Sequence, residues 1–164
     1  MRAPAIIVAC MLALPCALYA QASVHVEAPD LHSPRPLAKQ TADSAVRDYL
    51  QSWHSMKAAL AQNQASLLSP DFVGSALDKL TSTVQQQAKA GIHTRYVERS
   101  HDIKIVFYSP EGLSIELVDN VEYDQQVFNG DTLLTSQPLR ARYIAVLTPS
   151  EVRWRVRVLQ ATPE

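Results

Sequence analysis

The chain has 164 residues with 15 basic and 16 acidic side chains, so its formal net charge is -1. A balance this close to zero produces no overall field that would attract nucleic acid or an anionic lipid surface. The part of the chain that follows the N-terminal segment is long enough for one hydrophobic core, and we expect a single domain.

The N-terminus has the pattern of a secretory signal peptide. Arg2 supplies a short positive region, residues 6–18 form an apolar run, and Ala20-Gln21-Ala22 fits the small-x-small cleavage pattern. The run is shorter than the roughly 20 apolar residues that a membrane-spanning helix needs. We therefore predict a signal peptide at residues 1–22, cleaved after Ala22, and a periplasmic or secreted product with no membrane span. The alternative is an uncleaved N-terminal anchor.

Both cysteines, Cys10 and Cys16, lie inside this segment. Lipidation at one of them is an alternative to simple cleavage. If cleavage follows Ala22, the mature chain has no cysteine, which excludes disulfides, thiol catalysis and thiolate metal sites. Export without disulfides is more typical of a bacterial envelope protein than of a small secreted eukaryotic one.

Two helices are predicted after a leader. Residues 23–40 contain three prolines and no periodicity, which predicts an extended, flexible leader before a domain at 41–164. Helical spacing of apolar residues then predicts a helix over 42–61, capped by Thr41 or Asp43. A second stripe predicts a helix that begins near Pro70 and ends at a left-handed Gly91.

After Gly91 the apolar spacing changes to two, which is typical of strands. The predicted strands span 93–108, 113–128, 139–147 and 152–159. The turns between them contain Ser109-Pro110-Glu111-Gly112, then Asn129-Gly130, then Thr148-Pro149-Ser150-Glu151. Helices followed by consecutive strands predict an α+β fold in which N-terminal helices pack on a curved four-stranded antiparallel sheet.

The predicted register keeps the apolar face of each strand aligned with that of its neighbours. This condition pairs Leu147 with Val152, and it pairs Ile115 with Ala145 through a three-residue loop. It also directs Trp154 toward the core. The predicted fold depends on that inward tryptophan.

Four arginines on the face opposite Trp154 are the candidate residues for binding an anion or a partner. They are Arg142, Arg153, Arg155 and Arg157. The predicted register places Arg142 directly across from Arg157, and such like-charge pairs need water, acids or a bound anion. The face is either a solvated surface that Glu116 partly neutralises or a surface for an anion or acidic peptide. No aromatic residues interleave with the arginines, which argues against a nucleic-acid stacking platform.

The layout resembles a known family. Helices that lead into a curved sheet are similar to the nuclear transport factor 2-like, or cystatin-like, roll. Residues 45–160 more closely resemble the intermembrane-space domain of chloroplast-division proteins and their cyanobacterial relatives. The matching pieces are W-x-x-x-K-x-x-x-L (Trp53, Lys57, Leu60), A-x-x-G (Ala88, Gly91), "HTRYVERSHDIKIV", Arg142-Tyr143 and V-x-W-x-V (Val152, Trp154, Val156).

The resemblance implies a non-enzymatic domain that docks the tail of another membrane-associated division protein. This chain has a signal peptide where that family has a large preceding region and a membrane span. What carries over is therefore an exported protein-binding module rather than the division role.

Relatives of this roll also include isomerases, dehydratases and polyketide cyclases, which use a pocket between helices and sheet. The candidate pocket residues here are Tyr49, Trp53, Tyr96, Tyr143 and Trp154. Asp102 or His93 would be the acid or base beside them. The alternative, which we favour, is ordinary core aromatics, because no inward carboxylate pair can be placed.

We therefore predict no catalytic residue. The five histidines have no metal-ligand spacing, and the four glycines form no phosphate cradle, so no metal or cofactor is expected either. The predicted function is a non-enzymatic binding or scaffold module of the bacterial cell envelope that docks a protein partner, with homodimerisation left open. The alternative is a small-molecule binder, or a lyase or isomerase, that uses the pocket between the helices and the sheet.

Overall fold

The computed structural model describes residues 21–32 and 35–163, in which two helices cover one face of a five-stranded sheet. The elements are β1 (Ser23–Val26), α1 (Lys39–Gln62), a 3₁₀ turn (Ala65–Leu67), α2 (Gly74–Lys89), β2 (His93–Tyr108), β3 (Ile115–Asn129), β4 (Thr132–Pro149) and β5 (Trp154–Pro163). The strands lie in chain order across the sheet. Nearly all of the predicted signal peptide, with both cysteines, lies outside the described residues.

The strand that the sequence did not predict is β1, which lies in the segment predicted to be a leader. β1 runs parallel to β2, with Val24 opposite His101 and Val26 opposite Ile103. The chain then stays on β2, because the Glu27 N–H donates to the Ile103 carbonyl at 2.8 Å. The sheet therefore begins at residue 23, before the predicted domain start at 41. Two alternating valines are too short a pattern to predict a strand.

Helix α1 begins earlier than the sequence predicted. Its N-cap is Ala38, which makes no side-chain cap, so neither Thr41 nor Asp43 caps the helix. Asp43 instead forms an ion pair with Lys39 one turn earlier, at 2.6 Å. The helix ends at Asn63, whose φ of 54° is left-handed and whose side-chain amide donates to the Ile92 carbonyl.

Helix α2 starts at Gly74, so the predicted start at Pro70 was wrong. In the segment between them, Phe72 forms an isolated parallel bridge with Val156 of β5. The Val156 N–H donates to the Asp71 carbonyl at 2.8 Å, and the Val73 N–H donates to the Val156 carbonyl at 2.9 Å. The predicted left-handed stop at Gly91 is confirmed by its φ of 71°.

The register differs from the prediction by two residues along most of β3 and β4. Between β4 and β5 it differs by four residues up to Val156, after which the bulge at Arg157 makes the difference five. In β3 and β4, Ile115 lies opposite Leu147 instead of Ala145, and the hairpin loop has two residues because Asn129 pairs with Thr132. In β5, Val156 takes the place opposite Leu147 that was predicted for Val152. Shifts of two and four residues leave the same side chains on the core face, so alternation alone does not distinguish these registers. Beyond the bulge, Leu159 lies opposite Ala145 and packs against the core in place of Val158.

Trp154 faces the core and is partly buried against it, as predicted. The Trp154 N–H donates to Asp48 Oδ2 on α1 at 2.8 Å, which ties the start of β5 to the helix. The largest fully buried side chains are Trp53, Tyr49 and Phe72, all between the helices and the sheet. Among the described helices, none is long and apolar enough to cross a membrane.

Candidate functional site

Alternating charges cross the interior from α1 to β3. Lys57 Nζ lies 3.0 Å from Glu98 Oε2, and the same carboxylate oxygen lies 3.9 Å from His101 Nε2. His101 Nδ1 lies 2.7 Å from Asp119 Oδ2, which also accepts a hydrogen bond from the Tyr49 hydroxyl at 2.9 Å. We call these five residues the core charge network. It links one helix to two strands.

The helical members of the network lie on one face of α1. Tyr49 and Lys57 are two turns apart, and Trp53 lies between them at the same four-residue spacing. Residues four apart on a helix stack one above the other, so all three side chains reach the same strip of sheet.

The strand members face inward for two different reasons. In β3 the alternation is uninterrupted, so Asp119 shares the core face with Leu117. In β2, Arg99 is an extra residue between the pairs made by Glu98 and Ser100, and this bulge lets both Glu98 and His101 point inward at a three-residue spacing. Alternation in the sequence could have revealed Asp119, but it gave no signal for the bulge.

Burial makes this network electrostatically strong. His101 is 2% exposed and Asp119 is 0% exposed. Burial acts to lower the pKa of the imidazole, but the hydrogen bonds to Asp119 and Glu98 outweigh it and raise that pKa to about 9. Burial likewise acts to raise the pKa of Glu98, and the bonds from His101 and Lys57 reverse this and lower it. His101 is therefore an imidazolium at neutral pH.

Aromatic rings cover the His101 end of the network. The Trp53 ring packs edge-on against His101 and against Tyr143, each with centroids 5.0 Å apart. The Tyr143 hydroxyl hydrogen-bonds to the Tyr123 hydroxyl at 3.1 Å, and Tyr96 packs on Tyr123. Burial, followed by that hydrogen bond, raises the pKa of Tyr143 above its ordinary range.

The candidate pocket residues therefore lie in packed surroundings. Tyr49, Trp53 and Tyr143 are buried in the core, while Tyr96 and Trp154 are partly buried against it. Trp53 and Tyr143 touch each other, and Tyr96 reaches them through Tyr123. Trp154 is held to α1 by its backbone N–H, which donates to Asp48, the residue before Tyr49.

Neither acid–base candidate from the sequence lies in the interior between the helices and the sheet. His93 stacks on Phe128 at the base of the β3–β4 hairpin, and Asp102 pairs with Asn120 on the outer sheet face. The statement that no inward carboxylate pair exists is also wrong, because Asp119 and Glu98 both face inward and contact the same histidine. In the described part of the chain, no group of three or more His, Cys, Asp or Glu residues is placed to hold a metal ion.

The four candidate arginines separate into two pairs. Arg153 forms an ion pair with the buried Asp71 at 2.8 Å, and Arg155 donates to the Phe72 carbonyl at 2.9 Å, so both fasten β5 to the segment before α2. Arg142 and Arg157 are exposed.

The prediction that Arg142 lies directly across from Arg157 was wrong. Arg142 lies opposite Thr162, and Arg157 is the extra residue of a bulge in β5. Glu116 lies opposite Val146, outside the row of Arg155. The two-residue difference between β3 and β4, and the four-residue difference between β4 and β5 that the bulge increases to five, account for these changes.

An apolar cleft of about 830 Å³ lies on the surface between β1 and α1. Val24 and Val26 line one side, Val46 and Leu50 line the other, and Ile105 lies at its base. Val24 is 46% exposed and Val26 is 48% exposed, although both are on the core-facing side of the sheet. We call this the β1–α1 cleft.

Helices on one face of a curved, mostly antiparallel sheet define a roll of the nuclear transport factor 2-like class. The chain is similar to the solved intermembrane-space region of the chloroplast protein ARC6, with a TM-score of 0.64 and 12% identity over 79% of this chain and 100% of that one. These findings confirm the predicted fold and the predicted resemblance.

The chain is also similar to two further solved structures. A protein assigned as a scytalone dehydratase from Novosphingobium aromaticivorans gives a TM-score of 0.54 and 11% identity over 77% of this chain and 89% of that one. A protein assigned as a dehydratase of the NTF2-like family from Streptomyces avermitilis gives a TM-score of 0.49 and 10% identity over 74% and 97%. No protein-family model and no curated protein matches the chain.

Proposed function

We propose that the protein is an exported, non-enzymatic binding module of the bacterial cell envelope that docks a protein partner on its surface. The observation that carries this proposal is the closed interior, in which His101 and Asp119 are 2% and 0% exposed and are bonded to each other. Reactive side chains without access to solvent do not meet a substrate. The similarity to the ARC6 region, and the docking role that the sequence resemblance implies, support a binding module. Export follows from the signal-peptide pattern.

The β1–α1 cleft is the docking site in this proposal. β1 is an edge strand of the sheet, so within the described residues one of its sides has no neighbouring strand. A free strand edge is a template for an added strand, and pockets for alternate side chains then give specificity. Val24 and Val26 supply such alternate apolar contacts. The partner would contribute an extended segment with apolar residues at every second position.

Capture from envelope extract tests this docking site. We expect a protein recovered by the tagged full chain to be lost with Val26→Lys, at least about tenfold, because an unpaired lysine buried in an apolar contact costs more than the ~1.4 kcal/mol behind a tenfold loss. Val152→Lys is the matched control, since Val152 is 82% exposed on the β4–β5 loop. Equal recovery by all three proteins would remove the cleft from the proposal.

The same capture experiment tests whether the partner binds at the exposed arginines instead of the β1–α1 cleft. Arg142→Glu and Arg157→Glu change the two exposed arginines, whereas Arg153 and Arg155 are left intact because they bond to Asp71 and to backbone carbonyls. Loss of a partner with either glutamate variant, but not with Val26→Lys, would place docking on the arginines. Recovery of untagged copies of this chain would identify a homodimer.

A small-molecule binder, or a lyase or isomerase, is the second candidate function. Two observations favour it. The His101–Asp119 pair lies beside the Tyr49 hydroxyl, and such groups can act as acid and base in the interior between helices and sheet. The chain is also similar to the scytalone dehydratase structure. We expect no ligand in a thermal-shift screen of apolar hydroxylated compounds to raise the melting temperature. A rise that is absent in His101→Gln would instead support the enzyme, because ligands that bind the native state stabilise it.

A further inference from the structure

The outer side of β1 presents backbone groups that another strand can bond. In the parallel ladder with β2, Val24 lies opposite His101 and Val26 lies opposite Ile103, and the Glu27 N–H donates to the Ile103 carbonyl. Backbone groups of successive residues point to opposite sides of a strand, so the N–H and C=O groups of Val24 and Val26 face away from β2. No other strand of the described chain lies on that side.

This edge lacks the features that usually protect an edge strand from pairing. Lysine, proline and bulges are the common ones. Ser23–Val26 contains neither lysine nor proline, and its register with β2 has no bulge. At the opposite edge of the sheet, by contrast, β5 is bridged by Phe72, and Arg155 bonds to the same segment. β1 is therefore the edge of this sheet that is open to strand addition.

The chain itself contains the strand that this edge requires. The β1–α1 cleft calls for an extended segment with an apolar residue at every second position, and Val24 and Val26 of β1 have that spacing. Their side chains are 46% and 48% exposed, so a copy of β1 both lines the cleft and offers what the cleft accepts. A surface that supplies both halves of a contact is self-complementary, as the interface of a two-fold symmetric dimer must be.

We propose that the partner docked at the β1–α1 cleft is a second copy of this chain, which adds its own β1 antiparallel to the first. The inference rests on the proposed docking site and names its occupant. The two-fold axis passes between the two copies of His25, so that Val24 of each copy lies opposite Val26 of the other. Because both valines direct their backbone groups outward, each of these pairs can exchange two hydrogen bonds.

The register centred on His25 also suits the side chains. It brings β-branched residues opposite each other, which is a favourable cross-strand contact. It places Glu27 of each copy opposite Ser23 of the other, so no two carboxylates face each other across the pair. An axis perpendicular to the sheet keeps both α1 helices on one face, where Leu50 of each helix and the four valines line a shared apolar seam. The strand pair is short, and small interfaces of this kind are typical of weak association.

Disulfide trapping tests both the dimer and its register. Opposite residues that exchange no hydrogen bonds in an antiparallel pair have Cα atoms about 4.5 Å apart, which is within the roughly 4.4–6.8 Å that a disulfide spans. We therefore expect His25→Cys, made in the full chain with Cys10→Ala and Cys16→Ala, to form a linked dimer under mild oxidation. Non-reducing gel electrophoresis measures it.

Ser23→Cys is the matched control for the trapping. Ser23 is exposed on the same side of β1 as His25, but the proposed register separates its two copies by four residues, or about 14 Å along the strands. We expect at least about tenfold more linked dimer with His25→Cys than with Ser23→Cys. Equal linkage in the two variants, or no linkage in either, would overturn the proposal.

Sedimentation equilibrium of the protein without introduced cysteines gives an independent measurement. We expect the dimer fraction to rise with protein concentration and Val26→Lys to raise the dissociation constant at least about tenfold, because two lysines then enter the apolar seam of each dimer. Val152→Lys, on the β4–β5 loop, should leave the equilibrium unchanged. An equal effect of both variants, or a dimer that Val26→Lys does not weaken, would contradict the β1 interface. A monomer at every concentration would exclude the second copy and leave the cleft to a different protein, which capture from envelope extract measures separately.

Discussion

Replacing Asp119 with alanine is expected to lower the free energy of unfolding by about 3–5 kcal/mol, the range found when one partner of a buried ion pair is removed. Asp119 is fully buried and accepts from both His101 and Tyr49. Without it, the imidazole must either stay charged without its closest counter-ion or lose its proton, and the Tyr49 hydroxyl loses its acceptor. Either response costs stability.

Urea unfolding at neutral pH measures this change, with the slope compared between variants to confirm the same unfolded state. Asp124→Ala is the matched control. Asp124 also pairs with a cation, Arg99 at 2.7 Å, but that arginine side chain is 54% exposed. A pair of this kind is worth about 0–1 kcal/mol. If both variants lost the same small amount, Asp119 would not be the centre of the interior.

Stability is expected to fall as the pH rises from about 6.5 to 9. The folded pKa of His101 is about 9, above the model-peptide value of 6.5. A group whose pKa is raised by folding stabilises the native state fully below its unfolded pKa, and this contribution is lost as the pH passes the folded pKa. For a shift of this size the loss is on the order of 3 kcal/mol.

Other groups act outside that window. The pKa of Glu98 is lowered in the fold, so its contribution is lost on the acid side. Burial, with the nearby Asp119 charge, raises the pKa of Tyr49 and protects its neutral form, which matters only at more alkaline pH. Unfolding free energies at several pH values, for wild type and His101→Gln, check the prediction. The variant should be nearly flat between pH 6.5 and 9, and an equal slope in both proteins would contradict it.

Apart from β1, the order of elements followed from sequence patterns that depend on local chemistry. The helical stripe of α1, the left-handed Gly91 and the inward Trp154 each reflect a short-range constraint, and the structure contains all three. The register did not follow, because shifts of two and four residues preserve the buried face and the sequence gives no signal for the bulge at Arg157. It is fixed instead by contacts distant in sequence, such as Asp71 and Val73 bonding to Val156.

The interior site was partly predictable. Lys57 and Trp53 belong to a motif that the resemblance singled out, and Asp119 continues the alternation that includes Leu117. Glu98 and His101 share a face only because of the bulge at Arg99, and single-sequence alternation places residues three apart on opposite faces. The core charge network therefore depends on the bulge at Arg99, which the sequence pattern does not predict.

The most direct test of the closed interior is the titration of the His101 imidazole by NMR. A closed network predicts a pKa of about 9, with both ring nitrogens protonated at neutral pH, Nδ1 hydrogen-bonded to Asp119 and Nε2 in an ion pair with Glu98 at 3.9 Å. A His101 that titrates at or below about 6.5, as an unperturbed histidine does, would show an imidazole that is free of its carboxylates. That result would contradict a closed interior, and the interior would again be a candidate site for binding or catalysis.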